Sequence, residues 1–285
     1  MLRNRVRLHL IGGFVLVILG VSSYSALFAA SGSAIPLFGS ADFGWDGVTA
    51  DWLQPPPGYG RGPVGDDPEH PYHANIQGGQ PTLRIGNSKD TVLKSWAAAQ
   101  MLASNEEVLS GIRAVPFAAQ AQCYPGGVPT QWLFPEPMFF IQTPKEIWII
   151  WQRDHMVRRI LLDRVHSKNV KPSWFGESVG HYEGGDTLVV DTVGLQSRNS
   201  YLDNFRTAHT DQEHVVERYT IAPDGKTMTG VATVDDAGAL NEPISMQQRW
   251  RKSGGRLIET ACAENNPDVF HQNLFPIPQT ETPDF

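Results

Sequence analysis

At 285 residues, 41% of them hydrophobic, with 27 glycines and 21 prolines, the chain can bury a sizeable core and is broken by many turns. Its formal charge of −7, with no long basic run, excludes nucleic acid as an electrostatic partner. Length alone allows one large β domain or two smaller ones.

Arg3, Arg5 and Arg7 precede an uncharged stretch from Leu10 to Ala30, followed by the small residues Ala29, Ala30, Ser31, Gly32, Ser33 and Ala34. This is the layout of a secretory signal, with cleavage after Gly32 or Ala34. The stretch also reaches the roughly 20 residues of an uncut membrane anchor, which would be the chain's only link to a membrane. In both cases the arginines stay inside and the remainder is exported, to the periplasm or beyond. Cys123 and Cys262 are the only cysteines, and an oxidising compartment favours joining them.

Residues 35–122 form a second region. Gln54-Pro55-Pro56-Pro57-Gly58 and Gly60-Arg61-Gly62-Pro63 cannot make regular helix or central strand. This segment is expected to run extended over another surface, held by Phe43, Trp45, Trp52, Tyr59 and Tyr72. One helix follows over Thr91–Ser110, capped by Ser88 or Asp90 and stopped at Gly111.

Residues 123–285 form a β domain. Pro137–Gln142, Glu146–Gln152 and Val157–Asp163 read as short strands. Ser178–Leu195 is a hairpin turning at Glu183-Gly184-Gly185-Asp186, because glycine reaches positive φ without steric cost. Glu213–Ile221 and Thr227–Val234 flank a second turn at Pro223-Asp224-Gly225-Lys226. Ser245–Arg251 and Arg256–Ala263 flank Ser253-Gly254-Gly255. About nine strands in hairpin order, with no helices between them, predict a mainly β fold. The expected form is an antiparallel up-and-down, lipocalin-like barrel or strongly curled sheet, able to enclose a small ligand.

Alternation along strands assigns faces. Asp191 shares one with Val189 and Val193, Glu217 shares one with Val215 and Tyr219, and Arg159 shares one with Val157 and Leu161. All three are therefore candidates to point into an apolar interior, where each needs a partner or a ligand. They can form an acid/base site, or a structural Arg–carboxylate network fixing the barrel's register. His209, Asp211, His214 and Glu217 lie within AHTDQEHVVE, and His166 follows the third strand at a rim. A divalent metal could draw on His209, His214, Asp211 and His166, but H-x4-H on a strand is not a zinc spacing, so no metal ligands are assigned. No phosphate loop, G-x-S-x-G elbow, H-E-x-x-H or C-x-x-C occurs, and no organic cofactor is implied.

Six stretches carry a resemblance: CYPGGVP from Cys123, IQTPKEIWIIWQ from Ile141, VRRILLD from Val157, GESVGHYEGGDTLVVDT from Gly176, AHTDQEHVVERY from Ala208 and ETACAENN from Glu259. Together they resemble a broad family of exported bacterial β-rich proteins, largely without assigned function. Gly185 is an extra residue in the family's Glu-Gly-Asp turn. Asp163-Arg164-Val165-His166 lacks the glycine of its Asp-Gly-Arg-x-His. The resemblance implies export and a β fold.

Two functions are consistent with these residues. One is an exported barrel enzyme doing acid/base chemistry (lyase, isomerase or hydratase type) on a small apolar or aromatic molecule. His209 would then be base or acid, Glu217 or Asp191 its partner, and Arg159 the holder of an anionic group. Tyr182, Tyr219, Trp151 and His166 would contact substrate. The other is a periplasmic small-molecule binding protein using the same cavity. A metal-assisted hydrolase is a weaker third. A homo-oligomer is compatible with the sequence.

Overall fold

The computed structural model describes residues 44–47, 52–72, 84–110 and 123–262. The N-terminal signal or anchor segment, Phe43 and Gly111 lie outside the described residues. Nine strands occur in chain order: β1 (Gly44–Gly47), β2 (Met138–Gln142), β3 (Glu146–Trp151), β4 (Val157–Leu162), β5 (Glu177–Glu183), β6 (Thr187–Val193), β7 (His214–Ile221), β8 (Thr227–Asp235) and β9 (Ile244–Lys252). They close into a single barrel in which each strand hydrogen-bonds its sequence neighbours and β1 meets β9. Every pairing is antiparallel except β4 with β5, which is parallel. A parallel step needs a crossover rather than a tight turn, and residues 163–176 supply it.

Turn chemistry explains the hairpins. Gly184 and Gly185 take φ of +60° and +82° between β5 and β6, and Gly225 takes +65° between β7 and β8. Gly185 lies in the turn itself, where a Cβ would meet open space.

Two predicted segments change role. Part of the stretch expected to lie over the surface becomes β1, with Trp45 opposite Met138 of β2 and Lys252 of β9. The chain then continues along β9 through bridges from Leu53 to Gln247 and from Arg61 to Ile244. Arg256–Cys262, predicted as part of the last strand, is irregular and largely exposed. A closed barrel has no free edge for it to join. This segment instead follows the turn after β3: the Thr260 hydroxyl donates to the Gln152 carbonyl, and the Cys262 amide to Asp154 Oδ1 at 2.5 Å. It ends in the disulfide Cys123–Cys262, closing a separation of 139 residues. In the chain-entropy account such a bridge contributes about 4–5 kcal/mol, and it fits an oxidising, exported environment.

The helix α1 (Ser95–Leu109) begins later than predicted. Asp90 Oδ1 does accept the Val92 amide, but Val92 stays in a turn closed by the Leu93 amide on the Asp90 carbonyl, and both residues dock on the β8–β9 connection. The Asn241 amide donates to the Val92 carbonyl, and Leu93 bridges Leu240. Ala97, Met101, Asn105 and Val108 face inward. Among the described residues no helix is long and apolar enough to cross a membrane.

Large aromatic side chains occupy the interior. Trp45, Trp132, Phe140, Trp151, Tyr219 and Trp250 are each at most 2% exposed. Trp132 arrives on a 3-10 turn, Thr130–Leu133, and packs edge-on against Tyr219 and Trp250 with ring centroids 5.1 Å away in both cases. Gly230 of β8 makes room for it, since a Cβ there would come within 2.7 Å of both tryptophan rings.

At the centre lies a buried ion pair. Arg158, not Arg159, points inward from β4, and its Nη2 lies 2.5 Å from Glu217 Oε2 of β7. A guanidinium has five N–H donors, and all five are used here. Nε donates to Ser178 Oγ at 3.0 Å, Nη1 to Glu217 Oε1 at 3.1 Å, and Nη2 to Thr192 Oγ1 at 2.7 Å and to Glu217 Oε2. The fifth bond runs from Nη1 to the Gln131 side-chain oxygen at 3.0 Å, with that amide oriented so that its nitrogen meets the Gly127 carbonyl. Glu217 Oε1 also accepts from the Tyr219 hydroxyl at 2.9 Å, which accepts from Trp132 Nε1 at 2.8 Å. Burial opposes the charge of Arg158, but Glu217 outweighs it and holds the guanidinium pKa above its ordinary value. Burial, with Glu217 beside it, pushes the Tyr219 phenol well up.

Removing one partner of such a pair strands the other charge, whereas replacing both with apolar groups is far less costly. Glu217→Ala is therefore expected to lose about 3–5 kcal/mol of unfolding free energy in urea titration. The double variant Arg158→Met/Glu217→Leu should recover most of that loss. A single and a double variant of equal stability would contradict the account.

Candidate functional site

The structure distributes the predicted site residues over three places. Glu217 and Tyr219 belong to the interior just described. So does Trp151, stacked on Phe175 with centroids 6.2 Å away. Tyr182 sits half-buried on the inner face of β5, where its hydroxyl accepts from Gln142 Nε2 at 2.6 Å and burial raises its pKa. These side chains fill space and close hydrogen bonds around the core. No predicted pocket role for them is carried by this geometry.

His209 is the second place. It precedes β7 and is buried with Glu213, its Nδ1 lying 2.5 Å from Glu213 Oε2. The contact lacks hydrogen-bond geometry, so both ring nitrogens and both carboxyl oxygens are buried without a hydrogen-bonding partner among the described residues. Burial pushes the Glu213 carboxyl up. For His209 burial works against the charged form, but the Glu213 charge prevails and raises the imidazole pKa. The ion-pair partner of His209 is thus Glu213, not Glu217 or Asp191, which corrects the expected pairing. The reason is alternation: Glu217 faces inward to Arg158, and Asp191 faces outward.

Asp191 anchors the third place, on the outer wall. The inner face of β6 is Leu188, Val190 and Thr192, all buried, so Asp191 emerges half-exposed on the other side. Arg159 likewise emerges outward from β4, because Arg158, Ile160 and Leu162 take the inside. There His166 Nε2 lies 3.0 Å from Asp191 Oδ1, and His214 Nε2 lies 2.9 Å from the same oxygen. His166 Nδ1 lies 3.1 Å from Glu177 Oε1. Glu177 is itself held by the Ser167 amide and hydroxyl, each at 2.6 Å. His166 is brought in by the crossover between β4 and β5, while Glu177, Asp191 and His214 come from β5, β6 and β7. Side-chain exposures of 23% for His166, 40% for Asp191 and 42% for His214 leave the group open to a small molecule.

The hydrogen-bond inventory gives this cluster its chemistry. An imidazole donates from both nitrogens only when protonated. A neutral His166 can donate to Glu177 or to Asp191 but not to both, and each carboxylate has a second neighbour, Ser167 for Glu177 and His214 for Asp191. Two imidazoles and a shared carboxylate, with Glu177 orienting one ring, can accept, store and return a proton. No protein-family model matches the chain, and no curated protein matches it.

The four residues considered for a metal do not gather. His209 is buried with Glu213, and Asp211 binds the Ser197 amide and hydroxyl at 2.9 and 2.8 Å. Among the described residues no group of three or more His, Cys, Asp or Glu is arranged to hold a metal ion. Glu177, the residue that sequence reading missed, carried one signal: it lies within GESVGHYEGGDTLVVDT, one residue before the predicted hairpin, and is the first residue of β5.

Glu177 gives this place a pH dependence. The Ser167 side-chain hydrogen bond, then its amide, hold the Glu177 carboxyl below its ordinary value near 4.5, against a small opposing effect of burial. A carboxyl lowered in the fold stabilises it fully above the unfolded value and ceases to do so as pH falls through the folded value. Ser167→Ala is expected to shift the Glu177 titration upward toward its ordinary value, followed by NMR of its side-chain carboxyl carbon. An unchanged titration would show that Ser167 does not hold this carboxylate.

Proposed function

We propose that the protein is an exported barrel enzyme doing acid/base chemistry, of lyase, isomerase or hydratase type, on a small and partly apolar molecule. The reacting groups in this reading are His166, Asp191 and His214 on the barrel wall. The supporting observation is the convergence of two imidazole Nε2 atoms on one accessible carboxylate oxygen, with Glu177 fixing the far nitrogen of His166. His166 Nε2, once substrate takes the place of Asp191 Oδ1 against it, is the atom that takes a proton from substrate, or returns one. Asp191 steadies the imidazolium formed, and His214 holds Asp191 while His166 moves its proton. A carboxylate behind an imidazole keeps the ring oriented for such transfer. His209 and Glu217, buried elsewhere, are structural in this reading. Export and kinship with the exported β-rich family form part of the same proposal, supported by the disulfide.

Proton abstraction leaves a trace even without net turnover. The purified full chain is expected to catalyse deuterium incorporation from D2O into one C–H position of a member of a small organic acid panel, read by proton NMR. His166→Ala and Asp191→Asn should each slow this by about 10²-fold or more, with circular dichroism unchanged. Saturable binding of panel members with no exchange in the wild type would favour a non-catalytic binding protein instead. Exchange that survives both substitutions would move the chemistry off this wall.

A further inference from the structure

On the same wall, a cleft of about 410 Å³ opens between the β2–β3 turn and β4. Its rim carries Lys145, Arg159 and Arg164 against a single carboxylate, Glu146, and its floor includes Pro144 and Leu161. Three cations and one anion give a local charge of +2 in a chain of −7. Glu146 is already committed. Its Oε2 accepts from Arg159 Nε at 2.6 Å and its Oε1 from Trp148 Nε1 at 3.0 Å, and the Arg159 bond chiefly lowers its pKa. Arg159 is committed with it, lying over the Trp148 ring at 5.5 Å. The Thr143 hydroxyl is spent on Lys145 and Glu146 backbone groups. Lys145 and Arg164 remain. Arg164 acts on Glu146 through its charge, but neither side chain has an ion pair or hydrogen bond among the described residues. The cleft thus sets two cations beside the apolar side chains of Pro144 and Leu161.

The cleft also adjoins the acid/base cluster. In the parallel β4–β5 register Ile160 pairs with Ser178, so one step earlier Arg159 lies beside Glu177, the carboxylate that holds His166. Arg164 precedes His166 by two residues on the crossover. Free inorganic anions gain nothing from Pro144 and Leu161, whereas an organic anion uses both halves of the cleft.

We propose that this cleft is a binding subsite for a small organic monocarboxylate. Lys145 and Arg164 take its carboxylate, and Pro144 and Leu161 take its apolar body. Arg159, once a candidate for that role, instead fixes the cleft wall through Glu146. The further step, that the substrate of the neighbouring cluster is such a carboxylate, rests on the function proposed above.

Benzoate is the probe, with benzamide as its uncharged counterpart and inorganic phosphate as the anion without an apolar body. In ligand-observed NMR titrations of the full chain, benzoate should bind saturably, and benzamide about tenfold more weakly or worse. Lys145→Ala/Arg164→Ala should weaken benzoate by at least about tenfold, with unchanged circular dichroism, and added salt should weaken it as well. His166→Ala should bind benzoate as the wild type does, so retained binding without deuterium exchange would leave the subsite standing and remove only its link to chemistry. Equal binding of benzoate and benzamide, an unaffected double variant, or tighter binding of phosphate would each overturn the subsite.

Discussion

The arrangement of this barrel depends on one buried ion pair. Taking Arg158 and Glu217 out of water costs several kcal/mol per charge unless every lone pair and proton finds a partner. Here all five guanidinium donors are accepted, by Ser178 of β5, Thr192 of β6, Glu217 of β7 and Gln131 of the 3-10 turn. The pair therefore joins four consecutive strands at one point. Strand periodicity is two, so a slip of one residue in any of them would expel a network member and break the set. The same alternation fixes the outside: Arg158 inward puts Arg159 outward, Ser178 puts Glu177 outward, and Thr192 puts Asp191 outward. Inner network and outer cluster are two faces of a single register.

Large aromatic side chains occupy the lumen. Small barrels fill their interior with side chains or hold one ligand there, and Trp132, inserted on its 3-10 turn, decides the matter here. Its indole N–H finds the Tyr219 hydroxyl, so the plug is satisfied as well as apolar. The aromatic residues that looked suited to lining a pocket are the material that closes it. On the outer surface the crossover after β4 brings His166 against Glu177 and Asp191.

That crossover exists because one neighbouring pair of strands is parallel. An antiparallel β4–β5 pair could have been joined by a short hairpin turn, leaving no chain to lie across the wall. The parallel step requires a return path, and residues 163–176 provide it, carrying Arg164 toward the cationic cleft and His166 between Glu177 and Asp191. A topological irregularity thus places Arg164 and His166 two residues apart on one crossover.

Much of the fold was legible in the chain. Glycine pairs at 184–185 and the Asp224-Gly225 turn mark hairpins through backbone sterics alone, and β-branched runs such as Thr187–Val193 suit pleated sheet wherever they lie. The two cysteines, the only pair in the sequence, do join. The inward arginine could not be read, because Val157-Arg158-Arg159-Ile160-Leu161-Leu162 offers an arginine and aliphatic residues to either face. Nor could the partner of His209, or the use of Trp45 as a barrel strand in place of Arg256–Cys262. Local sequence determines which segments extend, turn or coil, since those preferences act within a few bonds. Which face is buried and which charges meet was settled only in the closed barrel, because only there does desolvation penalise every unpaired choice.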